Sequence, residues 1–195
     1  DFSFPRLYAG VEFLKKKTSL KNKFFLTNES YKICLPNSSI DIVTTVHSIE
    51  PNKKNAHLII EELYRITKKK LILLEPDYQL TNKKEYKFKK NAIKKRFKKH
   101  NYVKNIEKIL KKLNINFKKI EQKIPFYDLN PSSIFLINKK NKLRNSTYFI
   151  NPNNNNEKDI LKKNKDFYYS EITGEIFPVV NNILLIKKDN IFCKN

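Results

Sequence analysis

Residues 40–46 read Ile-Asp-Ile-Val-Thr-Thr-Val, a short β-branched run of the kind that forms a buried strand. Residues 55–66, Asn-Ala-His-Leu-Ile-Ile-Glu-Glu-Leu-Tyr-Arg-Ile, repeat their apolar side chains at helical spacing. A second apolar run, Leu-Ile-Leu-Leu at 71–74, follows and ends at the turn Glu-Pro-Asp at 75–77. Strand, helix and strand in this order predict a β-α-β crossover, and therefore an α/β fold with a parallel sheet rather than an all-α or all-β fold.

Further elements are predicted on both sides of this crossover. Upstream, the pattern indicates a helix over 4–17 and a strand over 23–26. Downstream, we predict a basic helix over 83–99, an amphipathic helix over 102–113, and strands over 117–124 and 133–137.

The C-terminal part of the chain has a different pattern. Residues 151–156, Asn-Pro-Asn-Asn-Asn-Asn, have the composition of a surface loop. Short β-branched runs follow, separated by Thr-Gly at 173–174 and Asn-Asn at 181–182, which favour tight turns. We therefore predict two domains, an α/β domain over 1–142 and a small β-rich appendage over 143–195.

The 195-residue chain has 41 basic and 19 acidic residues, which gives a net charge of +22. Such a charge would suit a nucleic acid or an anionic membrane surface as partner. Nearly all of the basic residues are Lys, however, and Lys with abundant Asn and Ile is what an AT-rich genome encodes at unconstrained surface positions. The charge concentrates over 83–119, where only Glu85 and Glu107 are acidic. A solvated helical face is the alternative to a nucleic-acid site there.

Several classes of site are excluded within these residues. With only Gly10 and Gly174 present, there is no Gly-rich phosphate loop. Cys34 and Cys193 are too far apart in sequence to form a zinc motif or a disulfide framework.

No apolar run approaches the roughly 20 residues of a membrane span, and no signal-peptide pattern leads the chain, so we expect a cytoplasmic protein. The chain has no Met and opens on Asp1, so we expect an N-terminally incomplete sequence.

Residues 29–43, Glu-Ser-Tyr-Lys-Ile-Cys-Leu-Pro-Asn-Ser-Ser-Ile-Asp-Ile-Val, resemble a segment of the class I S-adenosylmethionine-dependent methyltransferases. In that family an acid at a strand end is followed by a Leu-Pro turn, a polar turn and a Phe/Ile-Asp-Leu/Ile-Val strand. The resemblance continues through Val-His-Ser-Ile-Glu-Pro at 46–51, Glu-Leu-Tyr-Arg-Ile at 62–66 and Leu-Ile-Leu-Leu-Glu-Pro at 71–76. It implies a Rossmann-like α/β sheet, here without the family's first strand and Gly-rich loop, and S-adenosylmethionine as cofactor.

The resemblance also implies which residues hold that cofactor. Residues 1–9 are similar to the family's Asp-x-Ser-Pro-x-x-Leu-x-x-Ala segment, which gives Asp1 the ribose hydroxyls. A carboxylate there can accept two charge-assisted hydrogen bonds. Glu12 is the alternative acid. Glu29 matches the family's acid that receives the adenine amino group, with Ser30 beside it.

Val46 and His47 lie in the segment 45–48, which in the family lines the methionine end of the cofactor. An imidazole at this position would suit a general base for an acceptor hydroxyl. The alternative is a histidine that orients the loop through hydrogen bonds to the backbone. Glu75 and Tyr78 follow the next strand and are candidates for contacting the acceptor, although a strand-ending turn explains them as well.

The appendage has a resemblance of its own. Residues 149–152, Phe-Ile-Asn-Pro, and 168–184 are similar to a small zinc-ribbon-derived domain with the signature Tyr-Pro-Ile/Val-x-x-Gly-Ile-Pro. Relatives often carry Cys-Pro where this chain has Asn151-Pro152, and an amide is a poor substitute for a thiolate at zinc. We therefore expect no metal.

The expected function is S-adenosylmethionine-dependent methyl transfer to a small-molecule or sugar acceptor. The run Val-His-Ser-Ile-Glu-Pro-Asn at 46–52 resembles bacterial members associated with surface-polysaccharide modification. Two alternatives stay open. One is methylation of RNA through the basic segment 83–119, and the other is a non-catalytic adaptor with a lost cofactor site.

Overall fold

A computed structural model of the chain describes residues 4–17, 25–27, 30–121, 129–139, 148–154, 156, 158–186 and 192–193. The chain divides into two compact units. The α/β unit is Asn37–Arg144, and the β unit is Asp1–Pro36 together with Asn145–Asn195.

The elements follow one another along the chain as helices α1 to α4 and strands β1 to β10. In chain order they are α1 (Phe4–Lys17), β1 (Phe25–Thr27), β2 (Ile40–Val46), α2 (Ala56–Ile66), β3 (Thr67–Pro76), two 3-10 helices (Tyr78–Asn82 and Lys84–Lys89), α3 (Lys90–Lys99), α4 (Ile106–Lys112), β4 (Lys118–Glu121), β5 (Ser132–Asn138), β6 (Lys162–Lys163), β7 (Phe167–Tyr169), β8 (Glu175–Val180), β9 (Ile183–Leu185) and β10 (Phe192–Cys193).

The α/β unit contains a four-stranded sheet in the order β2-β3-β5-β4. Strands β2 and β3 are parallel and are joined by α2, which confirms the predicted β-α-β crossover and the α/β fold class. Strand β5 pairs with β3 in the antiparallel sense, and β4 pairs with β5 in the same way. The two strands predicted at 117–124 and 133–137 therefore form, and they extend the parallel pair with an antiparallel one.

One face of this sheet forms the core of the α/β unit. Strands β2, β3 and β5 bury alternate side chains on that face, and α2 buries five of its eleven residues, as its apolar spacing predicts. Helix α2 ends at Ile66, and Thr67, whose backbone is extended, begins β3 without an intervening loop. The Thr67 hydroxyl donates to the carbonyl oxygen of Leu63 at 2.6 Å and satisfies one of the last helical acceptors.

The segment after β3 differs in detail from the predicted helices. The basic stretch predicted as one helix over 83–99 begins as a 3-10 helix and becomes α-helical only at Lys90. A small core beneath it contains Leu80, Tyr86, Ile93 and Phe97. The next predicted helix, over 102–113, starts at Ile106, because the Asn105 side chain accepts the Lys108 amide at 2.8 Å and caps it.

The β unit confirms the predicted β-rich C-terminal part. Its sheet runs β1-β9-β8-β7-β6, with β10 paired to β8. The β8–β9 hairpin turns at Asn181 and Asn182, both with positive φ, as a tight hairpin turn of the I′ type requires. Its core contains Cys34, Leu161 and Phe177 with Leu184 and Ile186.

Strand β1 pairs in parallel with β9 and so belongs to the sheet of the β unit. Cys34, a few residues later, is fully buried in the core of that unit, and its carbonyl oxygen accepts the Ile150 amide at 3.0 Å. These contacts explain why residues 1–36 group with the C-terminal part in the compact units. The predicted domains over 1–142 and 143–195 stay a prediction.

Candidate functional site

The parallel strands β2 and β3 end at the same edge of the sheet of the α/β unit. The pairing continues past β2, because the His47 amide donates to the carbonyl oxygen of Leu74 at 2.9 Å. Strand β5 runs the other way, so it begins at this edge, with Ser132 opposite Pro76. In open α/β sheets, ligands bind outside the carboxyl ends of the strands. We therefore take this edge as the candidate site.

The His47 ring is held between two side chains from the start of β5. Asn130 Nδ2 donates to His47 Nδ1 at 3.1 Å, and His47 Nε2 lies 3.0 Å from Ser132 Oγ. The Ser132 hydroxyl proton goes to the carbonyl oxygen of Asn130 at 2.9 Å, so Ser132 Oγ accepts from the ring. An amide nitrogen can only donate, so these contacts assign the ring proton to Nε2.

The backbone at His47 turns sharply, with φ of 49° in the left-handed region. Few residues other than Gly adopt that conformation, and His is one of the more tolerant. The turn directs the chain from β2 into the segment 48–50, whose amides then point back toward β3. Burial lowers the pKa of His47, and the positive charge of Arg96 lowers it further, so the ring is neutral near pH 7.

Glu75, near the end of β3, anchors that turn. Its side chain is 0% exposed, and its carboxylate accepts the backbone amides of Ser48, Ile49 and Glu50 at 3.1, 3.2 and 3.3 Å. Burial raises the pKa of Glu75 to about 7, while the three amide hydrogen bonds act in the opposite direction. Glu75 therefore ties β3 to the segment after β2, and a contact with an acceptor stays a prediction.

A second buried carboxylate, Glu50, lies beside the same network. Asn130 Nδ2 is 3.5 Å from Glu50 Oε2, and burial raises the pKa of Glu50 against the opposing effects of Asn130 and the Arg96 charge. Two polar atoms near this group, Asn130 Oδ1 and Arg96 Nε, are buried without a hydrogen-bond partner. The edge thus keeps unused hydrogen-bonding capacity, which is unusual in a finished core.

Asp77 directly follows β3 and contacts the start of β5 at the same edge of the sheet. Its carboxylate accepts the Ser133 hydroxyl at 2.8 Å and the Gln79 amide at 3.0 Å, and Lys119 Nζ lies 2.6 Å away. These contacts satisfy Asp77 within the unit. They give it a structural part in fixing the start of β5 against the end of β3.

Sequence reasoning missed Asn130, Ser132, Ser133 and Lys119 at this edge. They come from β4 and from the start of β5, whose antiparallel pairing brings them next to β3. The available signal was the polar run Asn-Pro-Ser-Ser at 130–133 directly before an apolar strand. Its position at the edge depends on strand direction, which the run itself does not specify.

The other predicted site residues are distributed as follows. Val46, at the end of β2, is 61% exposed. Tyr78 is half-buried, packs edge-to-face on Phe97, and has Lys104 Nζ 5.4 Å from its ring centroid. Ser30 is exposed and belongs to the β unit, and Asp1 and Glu29 lie outside the described residues. Their cofactor roles stay predictions.

In the β unit, Asn151 is the residue at which the zinc-ribbon resemblance implies a cysteine in relatives. Its Nδ2 donates to Asp159 Oδ2 and to Thr173 Oγ1, each at 3.0 Å. Asp159 also accepts Asn154 Nδ2 at 3.0 Å and the Ser170 hydroxyl at 2.6 Å. Asp159 is therefore the centre of a buried hydrogen-bond network that joins two turns.

Two features are absent from the described part of the chain. Among those residues there is no group of three or more His, Cys, Asp or Glu side chains that could hold a metal ion. None of the helices in the same part is both long and apolar enough to cross a membrane. The zinc-ribbon resemblance of the tail stays a prediction.

No protein-family model and no curated protein matches this chain. Among solved structures, the chain is similar to a candidate methyltransferase from Bacillus halodurans, with a TM-score of 0.53 and 12% identity over 72% of this chain and 81% of that one. A SAM-dependent methyltransferase from Aquifex aeolicus has a TM-score of 0.48 and 16% identity over 71% of this chain. A protein from Pyrococcus horikoshii has a TM-score of 0.48 and 16% identity over 72% of this chain and 69% of that one.

This chain spans 65% of the length of the Aquifex aeolicus protein. At these low identities a structural likeness shows the fold alone, and only the Bacillus halodurans match has a TM-score above 0.5. That match agrees with the parallel pair and crossover described above. The chain therefore has the Rossmann-like α/β fold of that candidate methyltransferase.

Proposed function

We propose that this chain carries out, or forms part of a protein that carries out, S-adenosylmethionine-dependent methyl transfer to a small-molecule or sugar acceptor. The observation that carries the proposal is the polar cluster His47, Glu50, Glu75 and Asn130 at the carboxyl edge of a parallel pair. The cluster lies in a fold shared with a candidate methyltransferase. The family resemblance of residues 29–76 supports the same reading.

The edge has surface suited to the methionine end of the cofactor. Val46 presents an exposed apolar side chain, and the half-buried His47 presents a polar ring next to it. Under the proposal these two residues line that end of the cofactor. The adenine role of Glu29 and Ser30 and the ribose role of Asp1 stay what the family resemblance implies. S-adenosylmethionine supplies a methyl group on a sulfonium, so the main task of the protein is to align the acceptor with that methyl group.

The contacts of His47 bear on its role. Its only acceptor nitrogen, Nδ1, already receives Asn130, and its Nε2 already faces Ser132. A general base needs a free acceptor nitrogen within reach of the acceptor hydroxyl. The observed contacts therefore support the orienting alternative, with side chains rather than backbone as its partners. The base role would require Asn130 to move.

Titration calorimetry of the chain with S-adenosylmethionine tests the proposal. We expect binding by the chain, and loss of binding in Val46→Lys, because a cation at the exposed end of β2 would repel the sulfonium. Ile42→Lys is the matched control, since Ile42 is 56% exposed on the same strand and the same face. Equal affinities in the two variants, or absence of binding heat in a version of the chain extended upstream to include a Gly-rich loop, would contradict the proposal.

The two alternatives have their own tests. A chain that keeps its fold, as judged by circular dichroism, but binds no cofactor would favour the adaptor alternative. Methylation of RNA is favoured by one observation, the exposed basic surface around α3. A methyl-transfer assay that compares RNA with a panel of sugars as methyl acceptors distinguishes the RNA alternative from the proposed sugar acceptor.

A further inference from the structure

Only some of the basic residues of segment 83–119 form ion pairs in the described structure. Sixteen basic and two acidic residues give this segment a net charge of +14. Three of its lysines form ion pairs within the α/β unit: Lys83 with Glu121, Lys111 with Glu107, and Lys119 with Asp77. These lysines have structural partners and are not available to a ligand.

A second group of lysines has no such partners. They lie on the second 3-10 helix and on α3, are all exposed, and form no ion pair within the part of the chain that the structure describes. They are Lys84, Lys87, Lys94, Lys95, Lys98 and Lys99. Six exposed lysines without ion pairs in the described structure therefore lie on two consecutive short elements.

Helical spacing arranges these side chains in rows. Along α3, Lys94 and Lys98 are four residues apart, and so are Lys95 and Lys99, so each pair lies on one side of the helix. Ile93 and Phe97 face inward and are buried in the core beneath α3. The two rows are therefore fixed on the outer side of a packed helix.

An exposed aromatic ring lies on the 3-10 helix directly before α3. Phe88, at the end of the 3-10 helix, is 98% exposed, whereas the neighbouring aromatic side chains Tyr86 and Phe97 are buried. The packing of this region therefore does not need the Phe88 ring. Lys84 and Lys87 lie on the same short helix as Phe88.

We propose that this surface, formed by Lys84, Lys87, Phe88, Lys94, Lys95, Lys98 and Lys99 and here called the α3 surface, binds single-stranded nucleic acid. The lysines contact successive phosphates, and one unpaired base stacks on Phe88. A basic surface with an exposed aromatic ring is how proteins bind single strands without sequence preference. The scarcity of Arg agrees with this, because Lys contacts phosphates as a point charge and lacks the planar fork with which Arg makes bidentate contacts.

The same residues fit an anionic membrane less well. An interfacial helix needs a continuous apolar face to insert between lipid headgroups. Phe88 is the only large apolar side chain of the α3 surface that is exposed, because Ile93 and Phe97 point into the core. Duplex nucleic acid also fits less well, since its paired bases offer no free ring face to Phe88.

The test uses fluorescence anisotropy of the whole chain with a labelled oligouridylate, over a series of salt concentrations. We expect binding whose affinity falls steeply with salt, with a log–log slope of about −3 if four to five phosphates are contacted. Phe88→Ala should weaken binding about tenfold, the size of one lost base stack. Because Phe88 is almost fully exposed, its removal should leave the unfolding midpoint unchanged.

Matched variants separate specific lysines from net charge. Lys94→Gln with Lys98→Gln should lower both the affinity and the salt slope. Lys163→Gln with Lys165→Gln removes the same charge from exposed positions of the β unit and should change neither.

Three results would overturn the proposal: an unchanged affinity in Phe88→Ala, equal affinity for a duplex of the same length, or equal losses in the two lysine pairs. Binding to phosphatidylserine vesicles that requires Phe88, without binding to the oligonucleotide, would assign the surface to a membrane instead. None of these measurements depends on S-adenosylmethionine, so their failure and the failure of the proposed methyl transfer can be told apart.

Discussion

The amide nitrogen of Asn130 lies 3.1 Å from Nδ1 of His47, and this contact fixes the imidazole as its Nε2–H tautomer. We expect Asn130→Asp to reverse the tautomer, because a carboxylate can only accept and would draw the proton to Nδ1. The new negative charge should also raise the pKa of His47, against the present lowering by burial and Arg96. Long-range ¹⁵N NMR spectra recorded over a pH series measure both effects.

Asn116→Asp serves as the control for this first prediction, since Asn116 is exposed in the same unit. It should leave the tautomer and the pKa of His47 in place. A spectrum of the unsubstituted protein that shows the proton on Nδ1 would mean that the Asn130 amide has the opposite orientation.

Glu75 should make the stability of the protein depend on pH. Its pKa in the folded protein is about 7, above its ordinary value of 4.5, so the folded state binds this proton more tightly than the unfolded state. Stability must then fall as the pH rises from about 4.5 through 7. Relative to Glu75→Gln, the unsubstituted protein should lose about 2 kcal/mol of unfolding free energy between pH 5 and 8.

Urea unfolding at several pH values measures that difference. Glu61→Gln is the control, because Glu61 lies exposed on α2. Its replacement should change the unfolding free energy by the same amount at every pH. If the unfolding free energies of Glu75→Gln and of the unsubstituted protein changed in parallel between pH 5 and 8, the assignment of the titration to Glu75 would be wrong.

Asp159 should be the most sensitive polar position of the β unit. Its carboxylate receives Asn151, Asn154 and Ser170, and Asp159→Ala would remove the acceptor of the buried Ser170 hydroxyl and one of the acceptors of Asn151. We expect a loss of about 3 kcal/mol in unfolding free energy, measured by chemical denaturation. Asp166→Ala, at an exposed position, should cost little. A loss of the same size in both variants would show that the network adds no particular stability.

Phe97 and Phe88 offer a comparison of one residue type in two environments. Phe97 is 1% exposed in the core beneath α3, in edge-to-face contact with Tyr78 and Tyr102. We expect Phe97→Ala to cost about 3–5 kcal/mol through the cavity it leaves, and Phe88→Ala to cost almost nothing. Thermal unfolding of the two variants checks this, and similar midpoints would contradict the described packing.

Much of the α/β fold could be predicted from the sequence because its strongest signals are local. The β-branched run at 40–46, the spacing in α2 and the apolar run in β3 each specify an element, and their order specifies a crossover. The partner of β1 could not be predicted. Pairing with β9 brings together segments more than 150 residues apart, and no pattern in Phe25–Thr27 distinguishes one apolar edge from another.

The candidate site could be predicted only in part, for a related reason. His47 and Glu75 were found because they lie at the carboxyl ends of strands whose direction the crossover determines. Asn130 and Ser132 were missed because they lie at the beginning of a strand, and only the antiparallel direction of β5 brings them to the same edge. The part played by Glu75 also depended on the left-handed turn at His47, which aims three amides at one carboxylate.

The network around Asp159 has a consequence for how the β unit responds to its surroundings. Asn151 and Asn154 on one turn, and Ser170 and Thr173 on the other, have the two-residue gaps that paired zinc ligands have in metal-stapled domains. Here Asp159 and Asn151 join the two turns through hydrogen bonds. We expect this cross-link between the turns to respond to agents that compete for hydrogen bonds, such as urea.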